Sequence, residues 1–385
     1  MPKSYEAVVI GGGIVGRLTA WFLAKSGKHT LLLEQHLINT PLGSSKGNSR
    51  LFGESFEDNI YFKFARQSRE LWRNLECETG LKLLSLTGGL DLVVAPDAKS
   101  RIKKIASILK SRNSEFEVLN TTNLNKHYPQ WRFDKNTHAI FSPESGVLRS
   151  DRCMNAAIVG GKKYSLEIRE NSHVAGIELF GPGLLLIRIL GKKTIYTKKL
   201  VIAAGPWMPN ILKRLGVQLP LRLSQEQSVY FVPCRNRESF NSENFPVWEF
   251  EGKNFVYGLP IFESSGIKIA FHQDGRCLKN LREFSNKPSE EVINRLRRFL
   301  DIHIPDASGE VSDATTCLYT NTSDGDFVID TIPHIPQIAY FTGCNGHAFH
   351  CAPAIAKTLV ELVTEGKTSL DISRFSSRRM ALVGL

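Results

Sequence analysis

The sequence lacks the features that mark membrane and exported proteins. No apolar run reaches the roughly 18 residues that a membrane-spanning helix needs. The first residues pass at once into an apolar run, without the charged and long apolar segments of a secretory signal. The last three residues, 383–385, lack the basic middle residue of a Ser-Lys-Leu peroxisomal address. We therefore expect a cytoplasmic protein with no membrane partner, with the peroxisome as the alternative location.

The chain also lacks a disulfide pattern, a repeat and a basic arm. Its cysteines number seven, an odd count that fits a reducing compartment. Its 30 glycines follow no fixed period, which excludes a collagen-like chain. The formal net charge is +11, but the basic residues are scattered and no zinc-finger spacing accompanies them. This pattern favours a lysine-rich surface over a nucleic-acid site, and we expect a monomer without a nucleic-acid partner.

A glycine run stands between a predicted strand and a predicted helix near the N-terminus. Residues 5–10 are largely apolar, residues 14–25 show helical spacing, and residues 29–33 form a second apolar run. Between the first two lies GGGIVG, in which Gly11 permits a tight turn, Gly13 a close approach of phosphate, and Gly16 close helix packing. Glu34 follows the second strand, where a carboxylate can accept ribose hydroxyls. This order predicts a dinucleotide site and leaves FAD and NAD as alternatives.

Further βαβ-like segments occur in the middle and near the end of the chain. Residues 194–204 and 339–342 resemble buried strands, residues 353–363 a closing helix, and residues 221–271 a set of short strands broken by glycine and proline. We therefore predict a mixed α/β fold with a discontinuous Rossmann-type nucleotide domain and an inserted antiparallel-sheet domain. The predicted nucleotide domain covers residues 1–80, 145–220 and 310–385, and the substrate domain covers 81–144 and 221–309.

Several motifs farther along the chain occur in a specific order. They are GSSKGNSR (43–50), VYGLP (256–260), IKIAFH (267–272), CLYTNT (317–322), DFVID (326–330) and GCNGHAF (343–349). With the glycine run, they make the chain resemble the monomeric sarcosine oxidase and L-pipecolate oxidase family, within the D-amino-acid-oxidase-like flavoproteins. The resemblance extends over nearly the whole chain. It implies a glutathione-reductase-like FAD domain with an antiparallel sheet over the flavin.

The resemblance implies oxidation of a secondary or cyclic amine or amino acid. Hydride passes to flavin N5, and O₂ reoxidises the flavin with release of H₂O₂, while the protein supplies placement and charge. It implies a thioether from Cys317 to the flavin, although a buried structural cysteine is the alternative. It places Lys268 over the flavin as an oxygen-activating ammonium with Arg50 nearby, whereas strand alternation alone suggests a solvent-facing lysine and a surface arginine.

The resemblance also implies roles for residues around the substrate. His272 would stand beside the substrate, and Tyr257 and Tyr319 would line its pocket, whereas structural packing is the alternative for all three. The run from Cys344 to Cys351 could suggest zinc, but a glycine-rich loop that starts a helix beneath the flavin pyrimidine ring is the better interpretation. The complete set of implied cofactor contacts is Gly11, Gly13, Ile14, Val15, Gly16, Glu34, Gln35, Ser44, Ser45, Ser49, Arg50, Val174, Ala204, Gly205, Trp207, Cys317, Gly343, Gly346, His347 and His350.

The chain departs from this family where two cations usually hold the substrate carboxylate. Gly53 stands at the usual arginine position and His350 at the usual lysine position, and Lys46 replaces a histidine. We therefore expect poor oxidation of sarcosine and pipecolate, with an amine that lacks a carboxylate or carries a differently placed acid as substrate. His350 as a pH-dependent clamp, or Lys46 reaching the same place, are the alternatives.

Three other functions remain open at this point. An NAD-linked dehydrogenase would leave the Cys317 motif and the late glycine loop without a role. A catalytically weak or altered-substrate flavoprotein is compatible with the lost cations. A flavin dehydrogenase that does not use O₂ is the third.

Overall fold

The computed structural model describes residues 3–40, 42–379 and 382. The C-terminal tripeptide that bears on a peroxisomal address therefore lies outside the described residues. The strands are β1 (Ser4–Ile10), β2 (Thr30–Leu33), β3 (Ser49–Phe52), β4 (Leu84–Leu86), β5 (Gly89–Val93), β6 (Glu117–Asn120), β7 (His138–Ser142), β8 (Gly146–Arg149), β9 (Glu167–Arg169), β10 (Val174–Leu179), β11 (Leu185–Ile189), β12 (Ile195–Ile202), β13 (Arg222–Phe231), β14 (Val247–Glu251), β15 (Phe255–Leu259), β16 (Ile267–Phe271), β17 (Arg276–Leu278), β18 (Val311–Asn321), β19 (Val328–Ile332) and β20 (Ile335–Thr342). The helices are α1 (Ile14–Lys25), α2 (Asn59–Thr79), α3 (Ala98–Ser111), α4 (Thr121–His127), α5 (Ser150–Lys162), α6 (Met208–Arg214), α7 (Glu290–His303) and α8 (Ala348–Glu365).

The first sheet is built around five parallel strands and confirms the predicted βαβ start. Its parallel core has the order β20-β12-β1-β2-β9, and β10, β11 and β19 add antiparallel strands. β1 is buried on both faces: Ala7 and Val9 pack in one core with α1 and α8, and Val8 and Ile10 pack in another. A strand buried on both faces is what the continuous apolar run predicts.

The second sheet has nine strands and is antiparallel except at one pair. Its main path is β17-β13-β16-β15-β14-β5-β7-β6, with β18 on β13, and β5 runs parallel to β14. One face is apolar and packs with α7 into a core that includes Trp248, Phe250 and Phe231. Because side chains alternate along a strand, the residues between these core residues point to the opposite face.

A small third sheet, β3-β8-β4, contains Arg50. The division into two domains stays a prediction. Strand β18, which the sequence-based division assigns to the nucleotide domain, pairs along its whole length with β13 of the second sheet.

The last helix begins earlier than the sequence pattern predicts. We expected a start at Pro353, but α8 starts at Ala348, and Pro353 lies inside it. Proline favours the first turn of a helix but is tolerated farther in at the cost of one backbone hydrogen bond. The turn is set instead by the left-handed backbone of Asn345 and Gly346. His350 and Cys351 are therefore helical residues.

None of the helices in the described part of the chain has the length and apolar character required to cross a membrane.

Candidate active site

The predicted dinucleotide turn is sterically specified for glycine. Gly11 has φ +108°, and a Cβ there would lie 2.4 Å from the carbonyl oxygen of Ala203. A Cβ on Gly16 would lie 1.9 Å from the carbonyl oxygen of Gly11, so a side chain would force α1 away from β1. The N-cap residue of α1 is Gly13, which has no side chain to accept the free N–H groups of the helix start. Ser45 Oγ accepts the N–H of Ile14. The start of α1 therefore lies open to an anionic group.

Glu34 lies at the end of β2, as predicted, and faces the same turn. It is buried, and its carboxylate accepts the backbone N–H groups of Gly12, at 2.7 Å, and of His36, at 2.8 Å. These two bonds fix its orientation, and each oxygen keeps acceptor capacity for a hydroxyl group.

Arg17 is a feature of this turn that sequence reasoning missed. It is 2% exposed, and its guanidinium donates to the carbonyls of Gly12, Met154 and Ile38. Burial lowers its pKa to about 10, and the negative charge of Glu34 opposes that shift. A charged residue directly after the last glycine, where the helix should be apolar, was the available signal.

A cavity of about 640 Å³ extends from this turn to the second sheet. Most of the predicted cofactor contacts line it, together with the three catalytic candidates Tyr257, Lys268 and Tyr319. The lining contacts are Gly11, Gly13, Ile14, Val15, Glu34, Gln35, Ser44, Ser45, Arg50, Val174, Ala204, Gly205, Trp207, Cys317, Gly343 and Gly346. Gly16 and Ser49 lie behind this wall, where Gly16 supports the turn and the Ser49 carbonyl accepts a hydrogen bond from Lys268 Nζ at 3.0 Å.

Lys268 is buried, so the solvent-facing alternative is wrong. All five residues of β16 are buried, because the face opposite the apolar core is covered by the rest of the molecule. Burial, with the neighbouring Arg50 charge, lowers the pKa of Lys268 to about 7. A small change in nearby charge therefore changes its protonation state near neutral pH.

Arg50 is held at the edge of this cavity. Its guanidinium donates to the carbonyls of Ser44, Ser49 and Lys46, and lies 5.3 Å from the centre of the Phe349 ring. These contacts orient a permanent cation whose partners are neutral carbonyls.

Cys317 lies opposite Glu226 in the pairing of β18 with β13. Burial raises the pKa of its thiol to about 11, although Arg50 and Lys268 oppose the shift. The expectation of positive surroundings is therefore met by two side chains, but burial outweighs them. Glu226 is a buried carboxylate beside the thiol, and its own pKa is raised by burial.

A second cavity, of about 260 Å³, adjoins the first through Arg50, Tyr257, Gly346 and Phe349. It holds the three predicted histidines that the larger cavity lacks: His272, His347 and His350. Tyr319 packs so closely against Gly346 that a Cβ there would lie 2.1 Å from its ring. The second cavity is thus the candidate substrate side of the site.

Burial changes the interpretation of the three histidines. It lowers the pKa of His272 to about 4, of His347 to about 3 and of His350 to about 4. All three rings are neutral at pH 7, so His350 supplies no positive charge for a carboxylate there. Lys46 lines the larger cavity, with its Nζ 3.5 Å from Asn286 Oδ1, and it does not line the second.

Two acids in the second cavity were missed by sequence reasoning. Asp91 in β5 and Glu249 in β14 are register partners, and Glu249 is also the partner of Tyr257 in β15. The available signal was an acid between two apolar residues of a predicted strand: Asp91 lies between Leu90 and Leu92, and Glu249 between Trp248 and Phe250.

The zinc alternative has no geometric support in the described residues. There, no group of three or more histidine, cysteine, aspartate or glutamate side chains is placed to hold a metal. Cys344 instead accepts the N–H of Thr320.

A glycine turn at a helix start, a carboxylate at the next strand and a cavity reaching a polar sheet define a dinucleotide-dependent oxidoreductase. The residues present fit FAD, since the turn excludes a Cβ and the glycine loop before α8 lines the same cavity. The chain belongs to the FAD dependent oxidoreductase family (DAO), whose model matches residues 6–362.

Curated relatives support this assignment along the whole chain. The monomeric sarcosine oxidase of Bacillus sp. (strain NS-129) is 33% identical, and the alignment covers 99% of this chain and 98% of the relative. The human peroxisomal sarcosine oxidase is 29% identical over 99% of this chain and 97% of its own. Among solved structures, the L-proline dehydrogenase of P. horikoshii has a TM-score of 0.85 at 24% identity, covering 99% of this chain and 98% of that one. NikD, described as an unusual amino acid oxidase, has a TM-score of 0.83 at 20% identity, with 97% of each chain covered.

We predict that His350 makes the protein sensitive to mild acid. Between pH 7 and 5 the unfolded chain takes up a proton on this residue, whose ordinary pKa is 6.5, while the folded chain does not. Stability from the neutral ring is therefore lost as pH falls from about 6.5 towards 4. The loss of unfolding free energy in His350→Gln should shrink by ~2 kcal/mol between pH 7 and pH 5.

Urea unfolding of both proteins at the two pH values measures this change. Thr358→Ala, a non-titrating substitution at a buried position of the same helix, is the matched control and should cost the same at both. A constant difference for His350→Gln would show that its ring is not held neutral.

Proposed function

We propose that the protein oxidises a secondary or cyclic amine with bound FAD and passes the electrons to O₂, releasing H₂O₂. The observation that carries this proposal is the position of buried Lys268 on the wall of the larger cavity, on the sheet face that also carries Cys317 and Tyr257. When bound, FAD supplies the acceptor for the hydride. The relatives named above as sarcosine oxidases support the class of substrate.

The residues around the larger cavity would divide the work of holding the cofactor. The start of α1 and Glu34 would bind its diphosphate and ribose, and the loop before α8 would face the ring system. Lys268 and Arg50 would provide positive charge beside the ring. We further propose a thioether between Cys317 and a methyl group of the flavin ring. In forming it, the S–H bond and one methyl C–H bond would break, Glu226 would take the thiol proton, and the two electrons released would pass through the flavin to O₂. A monomeric, cytoplasmic enzyme remains our expectation.

The substrate side supports an amine without the usual α-carboxylate requirement. Gly53 contributes no side chain to the second cavity, and His350 is neutral there. A carboxylate buried without a fixed cation loses several kcal/mol of binding free energy, of the order of a hundredfold or more in affinity. Sarcosine and L-pipecolate should therefore be poor substrates.

The function is tested by incubating the purified flavoprotein with cyclic and N-methylated amines. We expect H₂O₂ release in equal amount to substrate consumed for at least one class of amine. Flavin reduction without H₂O₂ release would indicate a dehydrogenase that uses another acceptor. The absence of flavin reduction by every amine would contradict the proposed function.

Lys268→Met should slow reoxidation of the reduced flavin by O₂ by at least ~100-fold, as loss of one preorganised charge can. Reduction by substrate should change by less than ~10-fold, because a neutral amine gives up hydride without creating negative charge at the lysine. Stopped-flow absorbance separates the two steps, with the exposed Lys198→Met as control. Equal losses in both steps would remove Lys268 from the oxygen reaction.

The Cys317 linkage predicts that yellow colour stays with the protein after acid precipitation. Cys317→Ala should release its flavin into the supernatant, whereas Cys344→Ala, another cysteine lining the same cavity, should retain it. Mass spectrometry of the denatured protein gives the same answer independently. A colourless wild-type pellet after full flavin loading would show that the cofactor is held noncovalently.

A further inference from the structure

The face of the second sheet that lines the site carries an acid pair without a counter-charge. Pairing across β5, β14 and β15 places Asp91, Glu249 and Tyr257 in one row, with side chains on the same face. All three line the second cavity. The acids therefore stand beside a tyrosine that also lines the larger cavity.

The third acid of this cavity, Asp326, has the partners expected of a structural carboxylate. Asp326 accepts hydrogen bonds from Tyr61 and from Arg374, whose Nε lies 2.8 Å from it. Asp91 has a hydrogen bond from Ser55, and within the described residues neither it nor Glu249 forms an ion pair. Both acids are partly buried, and a carboxylate pair held away from bulk water is costly unless a cation joins it.

The remaining charges in the cavity do not neutralise the pair. Arg50 is the one arginine or lysine among the described residues that line it, and its guanidinium donates to three backbone carbonyls. Burial raises the pKa of Asp91 to about 6, and burial with the charges of Asp91 and Glu251 raises that of Glu249 to about 8, so the pair carries about one negative charge at pH 7. Raised pKa values are expected for carboxyl groups that lack a cationic partner.

His350 adds an unsatisfied acceptor close to the acids. It lines the same cavity, is 8% exposed, and its buried Nε2 has no hydrogen-bond partner in the part of the chain described. The Leu51 carbonyl accepts a hydrogen bond from the ring, so in the neutral ring the other nitrogen is an acceptor. This side of the cavity therefore offers acceptors rather than donors.

We propose that the second cavity binds the distal cationic group of the substrate, an ammonium or guanidinium, against Asp91 and Glu249. The substrate class is then a secondary amine with a second nitrogen, positively charged at neutral pH, a few bonds away. This inference rests on the proposed amine oxidation and specifies its substrate. The cavity in which Gly53 and His350 replace the usual carboxylate-binding cations would thus select a positively charged group instead of a carboxylate.

The test uses amines of one skeleton, CH₃NH(CH₂)₄–X, where X is an ammonium, a methyl or a carboxylate group. These are N-methylputrescine, N-methylpentylamine and 5-(methylamino)pentanoate, with shorter and longer homologues to cover the reach. In the wild type we expect kcat/KM for the ammonium compound to exceed that of the methyl compound by at least ~10-fold, with the carboxylate compound lowest.

Asp91→Asn and Glu249→Gln remove charge while keeping shape. Each should lower the ammonium-to-methyl ratio of kcat/KM by at least ~10-fold. The matched control, Glu251→Gln, removes a carboxylate from the same strand that is paired with Arg101 and does not line the cavity. It should keep the wild-type ratio. Flavin absorbance and thermal unfolding check that each variant is folded. The ammonium-to-methyl ratio of the wild-type protein tests the proposal even if a variant does not fold.

The outcomes separate the two proposals. If the methyl or carboxylate compounds are preferred at every length, or if neither neutralising variant changes the ratio, the acid pair does not select substrate and amine oxidation stands. If neither these compounds nor the cyclic amines reduce the flavin anaerobically, the proposed oxidation fails. In that case the cation site is tested by binding alone, by titrating putrescine and pentylamine and following the change in the flavin absorbance spectrum. Tighter binding of putrescine than of pentylamine supports it, and equal binding overturns it.

Discussion

The alternation of side chains across the nine-stranded sheet is the constraint on which the candidate site depends. One face must be apolar, because α7 and the large aromatic residues pack on it. The other face is thereby fixed for every strand at once, and it carries Asp91, Glu249, Tyr257, Lys268, Glu226 and Cys317. A shift of one residue in any strand would send its polar side chain into the core. The energetics of the core therefore set the geometry of the chemistry.

The first sheet contributes a different constraint, which is contact between backbones. Gly11 and Gly16 allow α1 to begin directly against β1 and β12, so that the helix start and Glu34 face one end of the larger cavity. The loop before α8 also lines this cavity, and there Gly346 admits the Tyr319 ring. A side chain at Gly11, Gly16 or Gly346 would collide with these neighbours, so close backbone contact sets the walls of the cavity on the side of the first sheet.

Much of this arrangement could be predicted from the sequence, because local patterns specify local structure. The turn, α1 and the buried strand β1 follow from glycine spacing and apolar runs, and the structure places them within a residue or two. The start of α8 could not be placed this way, since Pro353 suggested a boundary that the left-handed turn at Asn345 and Gly346 overrides. Arg17 and Asp91 were also missed. Whether an isolated charge in an apolar segment faces solvent or a cavity depends on strands far away in sequence.

The charged side chains without partners are distributed unequally between the two cavities. This distribution would orient a substrate that has two nitrogens. Among the described residues, Lys268 and Arg50 have no carboxylate partners, and Asp91 and Glu249 have no cationic ones. Lys268 lines only the larger cavity, the two acids line only the smaller, and Arg50 lines both. A protonated amine is repelled by the first pair and attracted by the second. A substrate with two nitrogens would therefore place its charged end among the acids. The nitrogen near Lys268 would then be the one favoured in its neutral form, which is the form that can give up hydride.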